Sequence, residues 1–169
     1  IFVTGTFLTN LDNTWLCPLV ETIEGSAMYD FKMGQSSARP MTLSFYANVY
    51  PAGNYSVVVR SKMDNTYYAT TKALTNSWNR YIVSIPACTL GSWGTGTEGC
   101  MEVCLFGLSF GSVRANVAST TNWTASPGYP VVGVQGAQNW ALTPNALIQV
   151  TGVQLEVGPI ATPTELRPL

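Results

Sequence analysis

The chain has 169 residues, of which 46% are hydrophobic and only 10% are charged, whereas soluble globular domains carry roughly 25% charged residues. Its formal net charge is −1 and its eight lysines and arginines form no cluster, which argues against a nucleic-acid partner. No run approaches the roughly 18 apolar residues of a membrane span, so membrane insertion is not expected.

The length suits one domain with a core of its own, and we treat residues 1–169 as a single domain. The chain begins with Ile1 and has neither an initiator methionine nor the charged start of a signal peptide. We therefore expect it to be a processed product or a fragment of a longer protein.

Strand-like segments recur at intervals of roughly ten to fifteen residues and are separated by Gly, Pro or Asn clusters, a rhythm typical of a β-sandwich. After a weaker strand near the amino terminus, the predicted strands are residues 28–32, 41–50, 55–61, 67–72, 78–85, 101–110 and 146–156. No segment combines a helical period with caps. The sequence therefore predicts an all-β, antiparallel β-sandwich of at least eight strands with essentially no helix.

The clearest strand covers residues 41–50. One face is apolar and the other is polar, the polar positions being Thr42, Ser44, Tyr46, Asn48 and Tyr50. Such alternation indicates a strand with one buried face. A Pro- and Gly-containing turn follows at residues 51–54, and we expect it to join this strand to residues 55–61 in a hairpin.

Residues 115–144 lack a clear period and contain many polar residues, Gly and Pro. A stretch of this length is either a functional loop or contains short strands, such as residues 129–134.

The chain contains no histidine, which removes Ser-His-Asp and Cys-His catalysis and histidine metal sites. Residues 107–111 match the GxSxG pattern around Ser109, but that motif needs a histidine base, so we interpret them as a strand ending in glycines. Glu98 and Glu102 are the only close carboxylate pair beside an aromatic residue, and a glycosidase needs two such groups. We interpret both as solvated residues of a strand and its preceding loop, and we predict no enzymatic activity and no cofactor.

Four cysteines, Cys17, Cys88, Cys100 and Cys104, show no zinc-binding spacing, so free thiols are expected and no metal site is predicted. Cys100 and Cys104 would lie roughly 13 Å apart in an extended strand and cannot pair. Cys88 with Cys100 is the one pairing worth testing. A structural calcium ion would depend mainly on backbone carbonyl groups.

Five tryptophans and eight tyrosines are the remaining residues that could carry a binding function. An aromatic ring binds the C–H face of a sugar while nearby polar groups bind its hydroxyls. The candidates for sugar stacking lie where the strand pattern fails, namely Trp93, Trp123, Tyr129 and Trp140. The alternative for each is packing at an end of the sandwich. Trp78 opens a strand, and we predict that it packs in the core.

The carboxyl-terminal residues 150–168, TGVQLEVGPIATPTELRP after Val150, resemble a segment that recurs in bacteriophage tail-fibre and related virion proteins. The blocks at residues 38–46, 55–61 and 76–86 and the Gly-Ser-Trp loop at 91–93 fit the same group. Tyr46 stands where that group more often has tryptophan, and Thr164 where it usually has Phe or Trp.

The resemblance implies a jelly-roll sandwich similar to carbohydrate-binding modules, in a homotrimeric tail fibre or surface projection of the virion. The implied function is attachment to host cell-surface polysaccharide or lipopolysaccharide, with sister chains and other virion proteins as further partners. Synthesis in the bacterial cytoplasm would keep the cysteines reduced. One alternative is a structural assembly or capsid-decoration module without its own ligand. A polysaccharide-cleaving spike enzyme is another, with its active site elsewhere in a longer protein.

Overall fold

The structure, a computed structural model, describes the backbone of residues 2–3 and 15–16 and the whole of residues 19–110 and 114–164. Within these ranges the chain forms two 3-10 helices, Ser26–Phe31 and Trp140–Leu142, and twelve strands. The strands are β1 (Phe2–Val3), β2 (Trp15–Leu16), β3 (Leu19–Glu24), β4 (Met41–Tyr50), β5 (Gly53–Ser61), β6 (Tyr67–Leu74), β7 (Asn79–Ile85), β8 (Gly99–Leu105), β9 (Leu108–Ser109), β10 (Ala115–Val117), β11 (Val131–Val134) and β12 (Leu147–Val157). No helix in the described ranges is long and apolar enough to cross a membrane.

Two four-stranded sheets carry the fold. The first, sheet A, has the order β1-β12-β4-β7, and the second, sheet B, has the order β3-β8-β5-β6. Neighbouring strands within both sheets are antiparallel. Apolar side chains from β4, such as Leu43 and Phe45, share one core with Val57 and Val59 from β5. The predicted all-β antiparallel sandwich is thereby confirmed.

The predicted hairpin between β4 and β5 is wrong. β4 pairs with β12 and β7, whereas β5 pairs with β6 and β8, so the turn after Tyr50 carries the chain from one sheet to the other. Both strands have a continuous apolar row, and each row is buried only if it faces another sheet. The two rows face each other across the core, so both are buried. A hairpin would place them side by side in one sheet.

The strand predicted at residues 28–32 is also wrong, because this segment lies in the 3-10 helix Ser26–Phe31. Its buried residues are Met28 and Phe31, whereas Tyr29 is 78% exposed. Positions three apart lie on one side of a 3-10 helix, so the helix buries both apolar side chains with one turn.

The two sheets differ in what covers their outer faces. Parallel strands β10 and β11 lie over sheet B and form a small second core with it, made of Val58, Tyr67, Ala69, Cys104, Val131 and Val134. The strand predicted at residues 129–134 thus corresponds to β11. Sheet A turns the polar row of β4 outward, beneath the carboxyl-terminal residues 158–164.

Candidate functional site

Two of the four predicted stacking residues belong to the core. Trp140 is 1% exposed and donates its indole N–H to the Phe106 carbonyl oxygen over 2.8 Å. Trp123 is 6% exposed and donates in the same way to the Pro86 carbonyl oxygen over 2.7 Å. Neither ring offers a face to a ligand, so burial corrects the prediction for both. Both rings lie in irregular segments, which suggested exposure, but they pack into the core of the sandwich.

The other two predicted residues do not complete a platform. Trp93 is half-buried, donates its N–H to the Leu90 carbonyl oxygen at 2.9 Å, and meets Trp123 edge-on with ring centroids 5.5 Å apart. Tyr129 is 43% exposed. The Trp93 loop binds the Ser61 end of β5, whereas the segment before Trp140 binds Asn54 at the other end. Seven residues of strand separate these ends by roughly 25 Å, so the four residues do not form one site.

Trp78 is 51% exposed, so its predicted core position is wrong. The buried residues of β7 are Tyr81, Val83 and Ile85. Trp78 precedes them by an odd number of positions and therefore follows the parity of Arg80, on the side away from the core.

A different set of residues meets on the outer face of sheet A. Tyr46 on β4 lies directly between Arg80 on β7 and Thr151 on β12. These three residues border a groove of about 490 Å³, which we call the outer-face groove; its lining is Tyr46, Arg80, Thr151, Gly152, Pro163 and Thr164.

A β-bulge shapes the groove. The register of β12 against β4 shifts between Thr151 and Gln154, and Gly152 within the shift has a φ of +59°. A β-carbon at Gly152 would lie 3.3 Å from the Tyr46 ring atom Cδ2 and 3.3 Å from Thr164 Cγ2. Glycine adopts this backbone conformation without strain and leaves the space above the Tyr46 ring open.

The carboxyl-terminal segment forms one wall of the groove. Thr42 donates its hydroxyl to the Gly158 carbonyl oxygen over 2.7 Å, which holds the segment beside β4. Further along, the Glu156 carboxylate accepts the backbone N–H of Thr162 over 3.1 Å and also its hydroxyl. Arg80 donates to the Thr162 carbonyl oxygen. The segment is thus tied to all three strands beneath it.

Several buried polar atoms on this face have no hydrogen-bond partner in the described part of the chain. Four buried atoms have no hydrogen-bond partner among the described residues: Asn48 Oδ1, Arg80 Nε, Gln154 Oε1 and Thr164 Oγ1. A buried polar group without a partner costs about 1–3 kcal/mol. Three further atoms of this kind lie elsewhere in the described ranges, so four of the seven belong to this face.

The residues considered for catalysis make structural contacts instead. Glu102 is not a solvated face residue, because its side chain is only 12% exposed and pairs with Arg60 and, at 3.5 Å, with Lys62. Hydrogen bonds from its own backbone N–H and from that of Gly96 lower the pKa of the exposed Glu98 carboxyl. The Ser109 hydroxyl donates to the Arg114 carbonyl oxygen over 2.6 Å.

Cys88 and Cys100 are buried free thiols, Cys104 is also buried, and Cys17 lies outside the described residues. Burial raises the pKa of Cys88 to about 11, and Cys88 donates to the Leu90 carbonyl oxygen over 3.3 Å. Burial also raises the pKa of Cys100, so both of these thiols stay protonated near neutral pH and are poor nucleophiles.

Comparison with models of known protein families, with curated proteins and with solved structures finds no match to this chain. A functional assignment therefore depends on the geometry of the outer-face groove and on the sequence motifs.

Proposed function

We propose that the chain is a non-enzymatic attachment module of a phage virion and that it binds host surface glycan in the outer-face groove. The observation that carries this proposal is an aromatic ring, Tyr46, kept open by a glycine bulge and surrounded by polar side chains. A pyranose presents an apolar C–H face and a rim of hydroxyls, and this arrangement offers a partner to each.

Polar side chains on the same sheet face as the groove are held in place by their neighbours. Asn48 donates its amide to Gln149 Oε1 over 2.9 Å, which leaves Asn48 Oδ1 without a partner in the described residues. Gln154 and Thr164 contribute the further polar atoms of the same face. Thr151 lines the groove itself, and its hydroxyl can donate to and accept from a sugar hydroxyl.

Aromatic surface continues beyond the groove. Tyr50, four residues after Tyr46 on the same side of β4, is 45% exposed, and Trp78 before β7 is 51% exposed. Exposed rings spaced along one polar sheet face suit a chain of several sugar units better than a single sugar.

The biological setting comes from the sequence motifs. The segment at residues 150–168 supports a tail fibre or surface projection of the virion, a homotrimer, a jelly-roll fold and a host polysaccharide or lipopolysaccharide as ligand. Lack of histidine in the whole chain supports a role without catalysis.

A second candidate function, structural assembly without a glycan, is favoured by a different surface. An apolar groove of about 340 Å³ opens between β3 and β12, and Val153 at its edge is 44% exposed; its lining is Leu19, Glu21, Ile23, Leu43, Val103, Leu105, Val153 and Leu155. In this alternative a sister chain contacts the groove. Val153→Asp should then dissociate the oligomer in light scattering, and the wild-type domain should bind no glycan.

A glycan array probed with the wild-type domain and with Tyr46→Ala tests the main proposal. Loss of a stacking ring should weaken binding by about 1–3 kcal/mol, or five- to a hundred-fold, by analogy with stacking on nucleic-acid bases. Tyr129→Ala is the matched control, because Tyr129 is an exposed tyrosine remote from the groove. A wild-type domain that binds no glycan, or a Tyr46→Ala variant that binds as well as Tyr129→Ala, would contradict the proposal.

A further inference from the structure

We propose that the sugar bound in the outer-face groove carries a carboxylate and that Arg80 recognises this charge. The inference rests on the proposed glycan-binding function and names its ligand class. Its basis is a cation without a paired anion, placed beside the ring on which the sugar would stack.

Arg80 forms no ion pair within the described residues. The ion pairs there join Glu102 to Arg60 and to Lys62, on the other sheet. The partners of Arg80 are neutral oxygens, namely the Ser44 hydroxyl at 3.0 Å and the Thr162 carbonyl. Both bonds come from Nη2, so Nε and Nη1 make no hydrogen bond to the described residues. A guanidinium stays charged at every accessible pH, so the groove has a permanent positive charge.

Glu156 is a described carboxylate on this face, but it accepts hydrogen bonds from Thr162 rather than from Arg80. It accepts both the N–H and the hydroxyl of Thr162, whereas Arg80 reaches the carbonyl of the same residue. Thr162 therefore stands between the two charges and keeps them beyond the 4.0 Å ion-pair distance. Because Nε is buried and Nη2 donates to Ser44 and Thr162, Nη1 is the nitrogen left to donate to an anion from outside.

The spacing of Tyr46 and Arg80 matches a sugar acid. The two residues are direct cross-strand partners, so their β-carbons lie about 4.5–5.5 Å apart. A pyranose stacked on the Tyr46 ring would direct an exocyclic carboxylate toward Arg80. Nη1 can donate a charge-assisted N–H bond to that carboxylate. Arg80 is the one charged residue among those that line the described groove, which fits one negative charge per sugar rather than the nearly two of a phosphate group.

Calorimetric titration of the wild-type chain with trigalacturonate and with its methyl ester tests the inference, because the ester keeps the rings but loses the charges. We expect the ester to bind at least tenfold more weakly, and Arg80→Gln to lose a similar factor for trigalacturonate but little for the ester. Lys62→Gln, which removes a positive charge from sheet B, should bind like the wild type. Free 3-deoxy-octulosonate, tested in parallel, distinguishes a lipopolysaccharide acid from a capsular uronate.

Arg80→Lys separates charge from shape. It keeps the positive charge but loses the rigid planar group that places Nη1, so it should retain part of the affinity and lose the preference for carboxylate over phosphate esters. Circular dichroism establishes that each variant is folded.

Equal binding of trigalacturonate and its ester by a chain that requires Tyr46 would overturn the carboxylate inference and leave the glycan proposal intact. A glycan array on which the wild type prefers neutral or phosphorylated glycans would do the same. Failure to bind any glycan would contradict both.

Discussion

Tyr46 on β4 and Gly152 in the β12 bulge lie so close together that a β-carbon on residue 152 would stand 3.3 Å from the tyrosine ring. The open face of the ring therefore depends on a residue about a hundred positions later in the chain. Their contact couples the shape of the groove to the backbone conformation of the bulge, and that coupling can be tested by mutation.

Gly152→Ala should weaken both stability and glycan binding. Alanine at a φ of +59° costs about 1–2 kcal/mol in backbone strain, and its methyl group would fill the space above Tyr46. Gly136→Ala is the control, because Gly136 has a φ of +76° but a β-carbon added there would have no atom within 4 Å. Urea unfolding should show similar losses for both variants, and titration with glycan should show weaker binding only for Gly152→Ala. Equal glycan affinity of the two variants would speak against the groove.

Trp140→Ala and Trp78→Ala should differ sharply in stability. The Trp140 ring is 1% exposed and hydrogen-bonded, so its removal should cost about 3–5 kcal/mol of unfolding free energy. Trp78 is 51% exposed, and its removal should cost less than about 1 kcal/mol. Urea denaturation monitored by circular dichroism measures both. A large loss for Trp78→Ala would show that this ring packs in the core after all.

Glu102→Gln should destabilise the fold because it leaves the Arg60 guanidinium buried without its counter-charge. The side chains of Arg60 and Glu102 are 6% and 12% exposed, and breaking such a pair costs about 3–5 kcal/mol when it is fully buried, so about 2–4 kcal/mol is expected here. Glu98→Gln is the control, since the Glu98 carboxylate is exposed and contacts only its own loop. If thermal melting places both variants at the wild-type temperature, the pair contributes nothing to folding.

Stability should fall above pH 9. Burial raises the pKa of Cys88 from 9.0 to about 11 and that of Tyr55 from 10.0 to about 12. At a pH between the unfolded and folded pKa values, the unfolded chain has lost these protons and the folded chain has kept them. The stabilisation is therefore complete below pH 9 and is lost as the pH rises through the folded pKa values. Each group contributes a slope of at most about 1.4 kcal/mol per pH unit.

Urea midpoints measured from pH 7 to pH 11 check this dependence. Cys88→Ala should flatten the decline that starts near pH 9 and leave the later decline caused by Tyr55. A wild-type midpoint that stays constant up to pH 11 would show that these groups ionise in the folded protein.

The alternation in β4 predicted its bounds and its polar face correctly, because a strand that packs on one side shows its burial directly in the sequence. The same alternation placed Tyr46 and Tyr50 on the outer face. What it could not show was which strands flank β4, since the β4–β7 and β4–β12 pairings join residues far apart in the chain. Arg80 therefore gave no signal as a neighbour of Tyr46.

The burial of the tryptophans could not be predicted from the sequence, for a related reason. Outside regular strands the sequence has no period from which burial can be read, and the rings of Trp123 and Trp140 are buried by tertiary contacts with Pro86 and Phe106. Trp78 is exposed instead, because its position in the strand alternation, rather than the size of its ring, determines which side of the sheet it faces. Gly152, by contrast, stands inside a strand pattern, where glycine is uncommon and often marks a bulge or a close approach.

The unequal covering of the two sheets has a consequence for any particle that carries this domain. Strands β10 and β11 close the outer face of sheet B, whereas the groove opens on the outer face of sheet A. If glycan binds in that groove as proposed, a copy mounted with sheet A toward the particle would contribute no binding. Avidity for a host surface would depend on how many copies point the same way rather than on how many are present.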